Sequence, residues 1–122
     1  MIRVMVVEDE PPIQKSICML LEEYSETLQV VHTAINGLRA LEYLEQNPVD
    51  LIFTDVKMPL MSGLDLAKEV YKRFPSVTMV IISGFSEFEF ARTALQYGVR
   101  EYLLKPISRE RMQELLASLF ED

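Results

Sequence analysis

Four places in this 122-residue chain carry groups that handle charge: Glu8-Asp9-Glu10, Asp55, Ser83 and Lys105. Asp55 follows the run Leu51-Ile52-Phe53-Thr54 and precedes Val56-Lys57-Met58-Pro59. That pattern predicts a buried strand stopping at one carboxylate presented to solvent. The other three groups follow apolar runs in the same way: Val4-Met5-Val6-Val7, Thr78-Met79-Val80-Ile81-Ile82 and Tyr102-Leu103-Leu104. If these runs are parallel strands of one sheet, their carboxyl ends share one edge, where sites form in open α/β sheets. Three carboxylates brought together there repel one another unless a cation sits between them, and hard oxygen ligands favour Mg²⁺. A hydroxyl and an ammonium beside them would bind the oxygens of a phosphoryl group. The composite suits phosphoryl transfer to a carboxylate, in which the protein mainly positions charge.

The intervening segments carry helical signals. Pro11 and Pro12 suit a first helical turn, and Ile13, Ile17, Leu20 and Tyr24 recur at helical spacing. Leu28 to Thr33 is β-branched enough for a second strand, and Asn36-Gly37 starts a second helix with Leu38, Leu41 and Leu44 on one apolar face. Asn47-Pro48 stops that helix before the strand Asp50–Thr54. After Gly63, the residues Leu66, Val70 and Phe74 mark a third helix, which Phe74-Pro75-Ser76 breaks. A fourth helix is predicted from Ser86 to Tyr97 with Phe88, Ala91 and Leu95 facing inward and Gly98 closing it. Ser108 caps a last helix carrying Met112, Leu115, Leu116 and Leu119. Five alternations without a linker or repeat predict one doubly wound α/β domain over residues 1–122, a five-stranded parallel sheet with helices on both faces.

Composition narrows the function. A hydrophobic share of 49% and a charged share of 25% are ordinary for a globular domain. No apolar run approaches a membrane span, and Met1-Ile2-Arg3-Val4 lacks the layout of a signal peptide. One cysteine, Cys18, allows no intramolecular disulfide, which fits a reducing cytoplasm. The net charge of −7 would repel nucleic-acid phosphates, so the domain is not expected to bind DNA by itself. His32 and Cys18 read as structural.

Val7-Glu8-Asp9-Glu10, Asp55-Val56-Lys57-Met58-Pro59 with Ser62-Gly63, Ser83-Gly84 and Tyr102-Leu103-Leu104-Lys105-Pro106 together resemble the receiver domain of bacterial two-component response regulators. The likeness runs over essentially the whole chain and implies a flavodoxin-like (βα)5 fold. It implies that Asp55 accepts a phosphoryl group from the phosphohistidine of a sensor histidine kinase. Asp9, Asp55 and the backbone carbonyl of Lys57 would hold Mg²⁺, with Glu8 acting through water. Lys105 would pair with the phosphoryl oxygens, and Ser83 would donate a hydrogen bond to one of them. Ser83 and Tyr102 would form the switch, carrying the change to the surface of helix four, strand five and helix five, which would control an output and can dimerise. The resemblance also implies a cis bond between Lys105 and Pro106. Glu8 departs from the Asp usual at its position, which bears on the detail of metal coordination.

The stretch from Ser83 to Ala91 resembles receivers that precede an AraC-type DNA-binding module, so the expected output is transcription, with any such module lying outside these 122 residues. A stand-alone receiver acting through protein contacts is the alternative. An aspartate-nucleophile phosphatase of the haloacid dehalogenase type would need a second Asp where Lys57 stands, so the chain is expected to be a phosphoacceptor that promotes its own phosphorylation and slow dephosphorylation rather than a turnover enzyme. A flavodoxin-like cofactor binder would need a phosphate loop where Glu8-Asp9-Glu10-Pro11 stands. Phe85, two residues after Ser83, and Lys57 flank the path of attacking water in receivers, and an aromatic at Phe85 is expected to lengthen the phosphorylated state.

Overall fold

The protein is seen here in a computed structural model, which describes residues 1–84 and 87–120. Strands and helices alternate as β1 (Ile2–Val7), α1 (Pro11–Glu22), β2 (Leu28–Ala34), α2 (Gly37–Gln46), β3 (Leu51–Thr54), α3 (Gly63–Arg73), β4 (Thr78–Ser83), α4 (Phe88–Gln96), β5 (Glu101–Leu104) and α5 (Arg109–Phe120). All neighbouring strands are parallel, in the order β2-β1-β3-β4-β5. The predicted (βα)5 architecture is the observed one.

The apolar runs lack a polar face because both faces of the sheet are covered. Side chains alternate between two cores. Met5, Val7, Ile52, Met79 and Ile81 join Leu41 and Leu44 of α2, Leu66 and Val70 of α3, and Ala94 of α4 on one face. Val4, Val6, Leu51, Phe53, Val80 and Ile82 join Ile17 and Leu21 of α1 and Leu115 and Leu116 of α5 on the other. The chain reverses its winding between β1 and β3, and a crevice opens above such a switch point.

Helix starts follow local chemistry. Asn36 Oδ1 accepts from the Arg39 amide at 2.8 Å, Ser62 Oγ from Asp65 at 3.1 Å and Ser108 Oγ from Arg111 at 3.0 Å. Gly98 closes α4 at φ 68°, a conformation that glycine adopts without a Cβ penalty. The Lys105–Pro106 bond is cis, as the resemblance implies.

Three helix assignments need correction. Tyr24 lies beyond the end of α1, in a turn whose amide bonds Leu21 O. Leu38 is 39% exposed rather than part of the inward face of α2. On α4 the inward face is Phe90 and Ala94, continued by Tyr97 just past its end, whereas Phe88 and Leu95 are 75% and 76% exposed and Ala91 is half-buried. Both sets repeat at helical spacing, so periodicity alone did not select the phase. Ser86, placed at the helix start from sequence, and Phe85 lie outside the described residues.

At the opposite edge of the sheet, Asp50 ties β1 to β3. Its Oδ2 accepts from the Arg3 amide at 2.8 Å and Arg3 Nε at 3.0 Å, and its Oδ1 accepts from Arg3 Nη2 at 3.0 Å. The hydrogen bond from Arg3 holds the Asp50 carboxyl below its ordinary 3.8. A depressed folded pKa means the stabilisation is present above 3.8 and is lost as pH falls through the folded value. The pair is well exposed, so screening keeps its worth small. Asp50→Asn is expected to cost about 0.5–1 kcal/mol near neutral pH, and less well below the ordinary carboxyl range. Urea unfolding of both proteins at the two pH values checks this; a deficit that persists undiminished in acid would contradict it.

Candidate functional site

The register sets the geometry. Val7 pairs with Thr54 across β1 and β3, and the Asp55 amide bonds Val7 O at 3.0 Å, so the residues just past each strand, Glu8 and Asp55, come side by side. Ser83 pairs with Leu104 across β4 and β5, and the Lys105 amide bonds Ser83 O at 2.7 Å. Lys105 therefore starts two strands away from Asp55, and its long side chain crosses back. Its Nζ lies 2.9 Å from Asp55 Oδ2 and 2.7 Å from Glu8 Oε1.

Three sequence-predicted residues thus meet in one ion-pair group. Asp55 is only 7% exposed, which corrects the expectation of a carboxylate presented to open solvent. Its Oδ1 accepts from the Val56 amide at 2.7 Å, so both oxygens are oriented by the protein. Thr54 Oγ1 bonds Asp55 O at 2.9 Å and fixes the peptide behind the carboxylate. Ser83 is fully buried at the end of β4. Tyr102 is half-buried against the core that α2, α3 and α4 share. Lys57 is exposed on the loop after β3, with Nζ 5.7 Å from the ring centre of Phe90 on α4.

Glu8 is the unusual group. It is 1% exposed, its Oε1 is held by Lys105 and its Oε2 accepts from the Glu10 amide at 3.2 Å. Burial pushes its carboxyl above 4.5, against the hydrogen bond from Lys105, and the charge of Asp55 pushes the same way. Burial alone would lower the Lys105 ammonium; hydrogen bonds and charge from Glu8 and Asp55 outweigh it and hold the ammonium above 10.5. That raised value stabilises the fold below 10.5, and the contribution is lost as pH rises through the folded value. Glu8, Asp9 and Glu10 each offer a carboxylate oxygen, all within 4.8 Å of one another. Carboxylates in this number with one ammonium leave negative charge that a small divalent cation would offset. The all-oxygen donor set that Glu8, Asp9 and Glu10 offer is of the kind that suits Mg²⁺.

Sequence reasoning missed four supports. Glu8 meets Lys105 directly, across 97 positions, where only a water-mediated metal role was expected for it. Gln14 on α1 donates from Nε2 to Glu8 O at 3.1 Å and Ala34 O at 3.3 Å. Gly63 packs where any Cβ would overlap the carbonyl oxygen of Asp55. Thr54, a hydroxyl closing an otherwise apolar strand, was a visible signal; Gln14 left none.

An acidic edge with a buried Asp and a crossing Lys, on a sheet ordered 2-1-3-4-5, fits a signalling domain of the receiver class. The chain belongs to the response regulator receiver domain family, which it matches over residues 4–117. It is 37% identical, over 98% of its length, to the transcriptional regulatory protein YesN of Bacillus subtilis, of which it spans 33%. Among solved structures, the response regulatory domain of mrkE from Klebsiella pneumoniae superposes with a TM-score of 0.89 at 30% identity, covering 97% of this chain and 94% of that one. The receiver domain of AraT from Geobacillus stearothermophilus gives 0.87 at 34%, covering 96% and 91%. The chain spans about a third of the curated relative's length. No helix among the described residues is long and apolar enough to cross a membrane.

Proposed function

We propose that Asp55 accepts a phosphoryl group from the phosphohistidine of a sensor histidine kinase, and that Mg²⁺ held by Asp9, Asp55 and the Lys57 carbonyl supplies the countercharge for that transfer. The observation that carries this reading is the Lys105 ammonium held on Asp55 Oδ2, ready for a phosphoryl oxygen. The carboxylate oxygen attacks phosphorus, the bond to the donor's leaving group breaks, and an acyl phosphate forms. Lys105 offsets charge on the transferred group, and Ser83 donates to one of its oxygens. Glu8, both of whose oxygens are held by Lys105 and the Glu10 amide, would reach the ion only through water.

The added charge would bias a two-state equilibrium through Ser83 and Tyr102 towards the α4–β5–α5 surface. Exposed Phe88, Leu95 and Leu104 give that surface an apolar character suited to dimerisation. Transcription control in the cytoplasm, through a DNA-binding module elsewhere in the whole protein, is the output that fits the regulators it is similar to. Lys57, standing where a phosphatase of the haloacid dehalogenase type needs an acid, supports storage of the phosphoryl group over turnover.

Incubation with acetyl phosphate and Mg²⁺, followed by intact-mass measurement, tests the reading. A stable gain of one phosphoryl group, absent in Asp55→Ala and without Mg²⁺, is expected. Steady phosphate release with no covalent gain would point to a phosphatase.

A further inference from the structure

We propose that Gln14 is a positioning residue for the metal, acting through the Glu8–Asp9 peptide, an inference that rests on the Mg²⁺ reading above. The Glu8 carbonyl is the first beyond the end of β1, and it belongs to the peptide that leads directly into Asp9. The Glu8 amide is tied to Ala34 O at 2.9 Å, at the end of β2. The carbonyl on the other side of the residue meets Gln14 Nε2 at 3.1 Å, and the same nitrogen reaches Ala34 O at 3.3 Å. Both partners are carbonyl oxygens, which only accept, so the nitrogen end of the amide must face them. One side chain in the first turn of α1 therefore staples the ends of β1 and β2 and sets the plane of the peptide that carries Asp9.

The residue type fits that task. Two donors are needed beside the most acidic corner of the molecule, where Glu8, Asp9 and Glu10 gather. Arginine or lysine would donate equally well but would bring a fixed positive charge that competes with a divalent cation. A neutral amide holds the carbonyls and leaves the negative potential intact. Pro11 and Pro12 open the same helical turn and bring Gln14 to the strand ends without needing amide partners of their own.

Gln14→Met keeps the shape and removes both donors. Direct Mn²⁺ binding, read from the electron paramagnetic resonance signal of the free ion, is expected to weaken by roughly 3- to 10-fold, below the usual outer-shell effect because Gln14 acts one peptide away. With acetyl phosphate, the half-saturating Mg²⁺ concentration should rise by the same factor, while the rate at saturating Mg²⁺ stays within about twofold. A role confined to stability would lower the urea midpoint and leave both metal readouts unchanged, which would overturn the inference. Ion binding is read without phosphoryl transfer, so a wild-type protein that binds Mn²⁺ yet takes no phosphoryl group would defeat the phosphoacceptor reading and leave this one standing. A wild-type protein that binds no Mn²⁺ would defeat both.

Discussion

Lys105→Met is expected to lower stability by about 3 kcal/mol near neutral pH and to slow phosphorylation of Asp55 by roughly 100-fold. Lys105 bonds both Glu8 and Asp55, which are 1% and 7% exposed. Removing it leaves two buried carboxylates side by side, the case in which breaking an ion pair costs most. The molecule's relief is to take up a proton, and Glu8 is the group to take it because burial already holds it above 4.5. A carboxyl whose folded pKa is raised binds a proton more tightly folded than unfolded, so stability falls as pH rises from 4.5 through the folded value. Without Lys105 that window widens upward. The deficit of the variant should therefore shrink in mild acid and be fully present at neutral pH. Mg²⁺ should restore part of it, since the cation replaces the lost countercharge. Urea unfolding with Mg²⁺ and with chelator, at several pH values, reads all three effects; a deficit independent of both pH and Mg²⁺ would show that the lysine acts by packing alone.

What made the site legible was its placement. Glu8, Asp55, Ser83 and Lys105 each follow a run apolar on both faces, and strands covered on both sides read as continuous apolar segments, so the strand ends were located before any geometry was known. Which ends touch was not legible, because that depends on β1 lying between β2 and β3 and on the Val7–Thr54 register. The direct bond from Glu8 to Lys105 spans 97 residues, a pairing that local spacing does not encode. Helix α4 misled for a different reason. Phe88 and Leu95 keep the same period as Phe90, Ala94 and Tyr97, and only packing distinguishes a face that meets the core from one that meets solvent.

Gly63→Ala is expected to cost about 3 kcal/mol or more, beyond the effect of an ordinary overpacked core methyl because the obstacle is backbone. A Cβ on Gly63 would overlap the carbonyl oxygen of Asp55, and would stand 2.9 Å from its carbonyl carbon and 3.1 Å from Thr54 Oγ1. None of these is the free end of a flexible side chain. The Gly63 amide also bonds Val56 O at 2.8 Å, so the first turn of α3 cannot back away without breaking the loop that leaves Asp55. The Asp55 carboxylate must then shift too, because its Oδ1 is held by the Val56 amide at 2.7 Å. The substitution should therefore lower the thermal midpoint by roughly 10 °C and slow phosphorylation in the molecules that remain folded. The glycines supply their own scale. Gly37→Ala would meet the movable Met61 Cγ at 2.8 Å but also Met61 O at 2.9 Å, and should be intermediate. Among the described residues a Cβ at Gly84 meets nothing within 4 Å, so Gly84→Ala should leave stability near that of the wild type. Thermal midpoints that rank Gly84→Ala above Gly37→Ala above Gly63→Ala would place the close approach of α3 to Asp55 among the constraints on the site; equal midpoints would remove it.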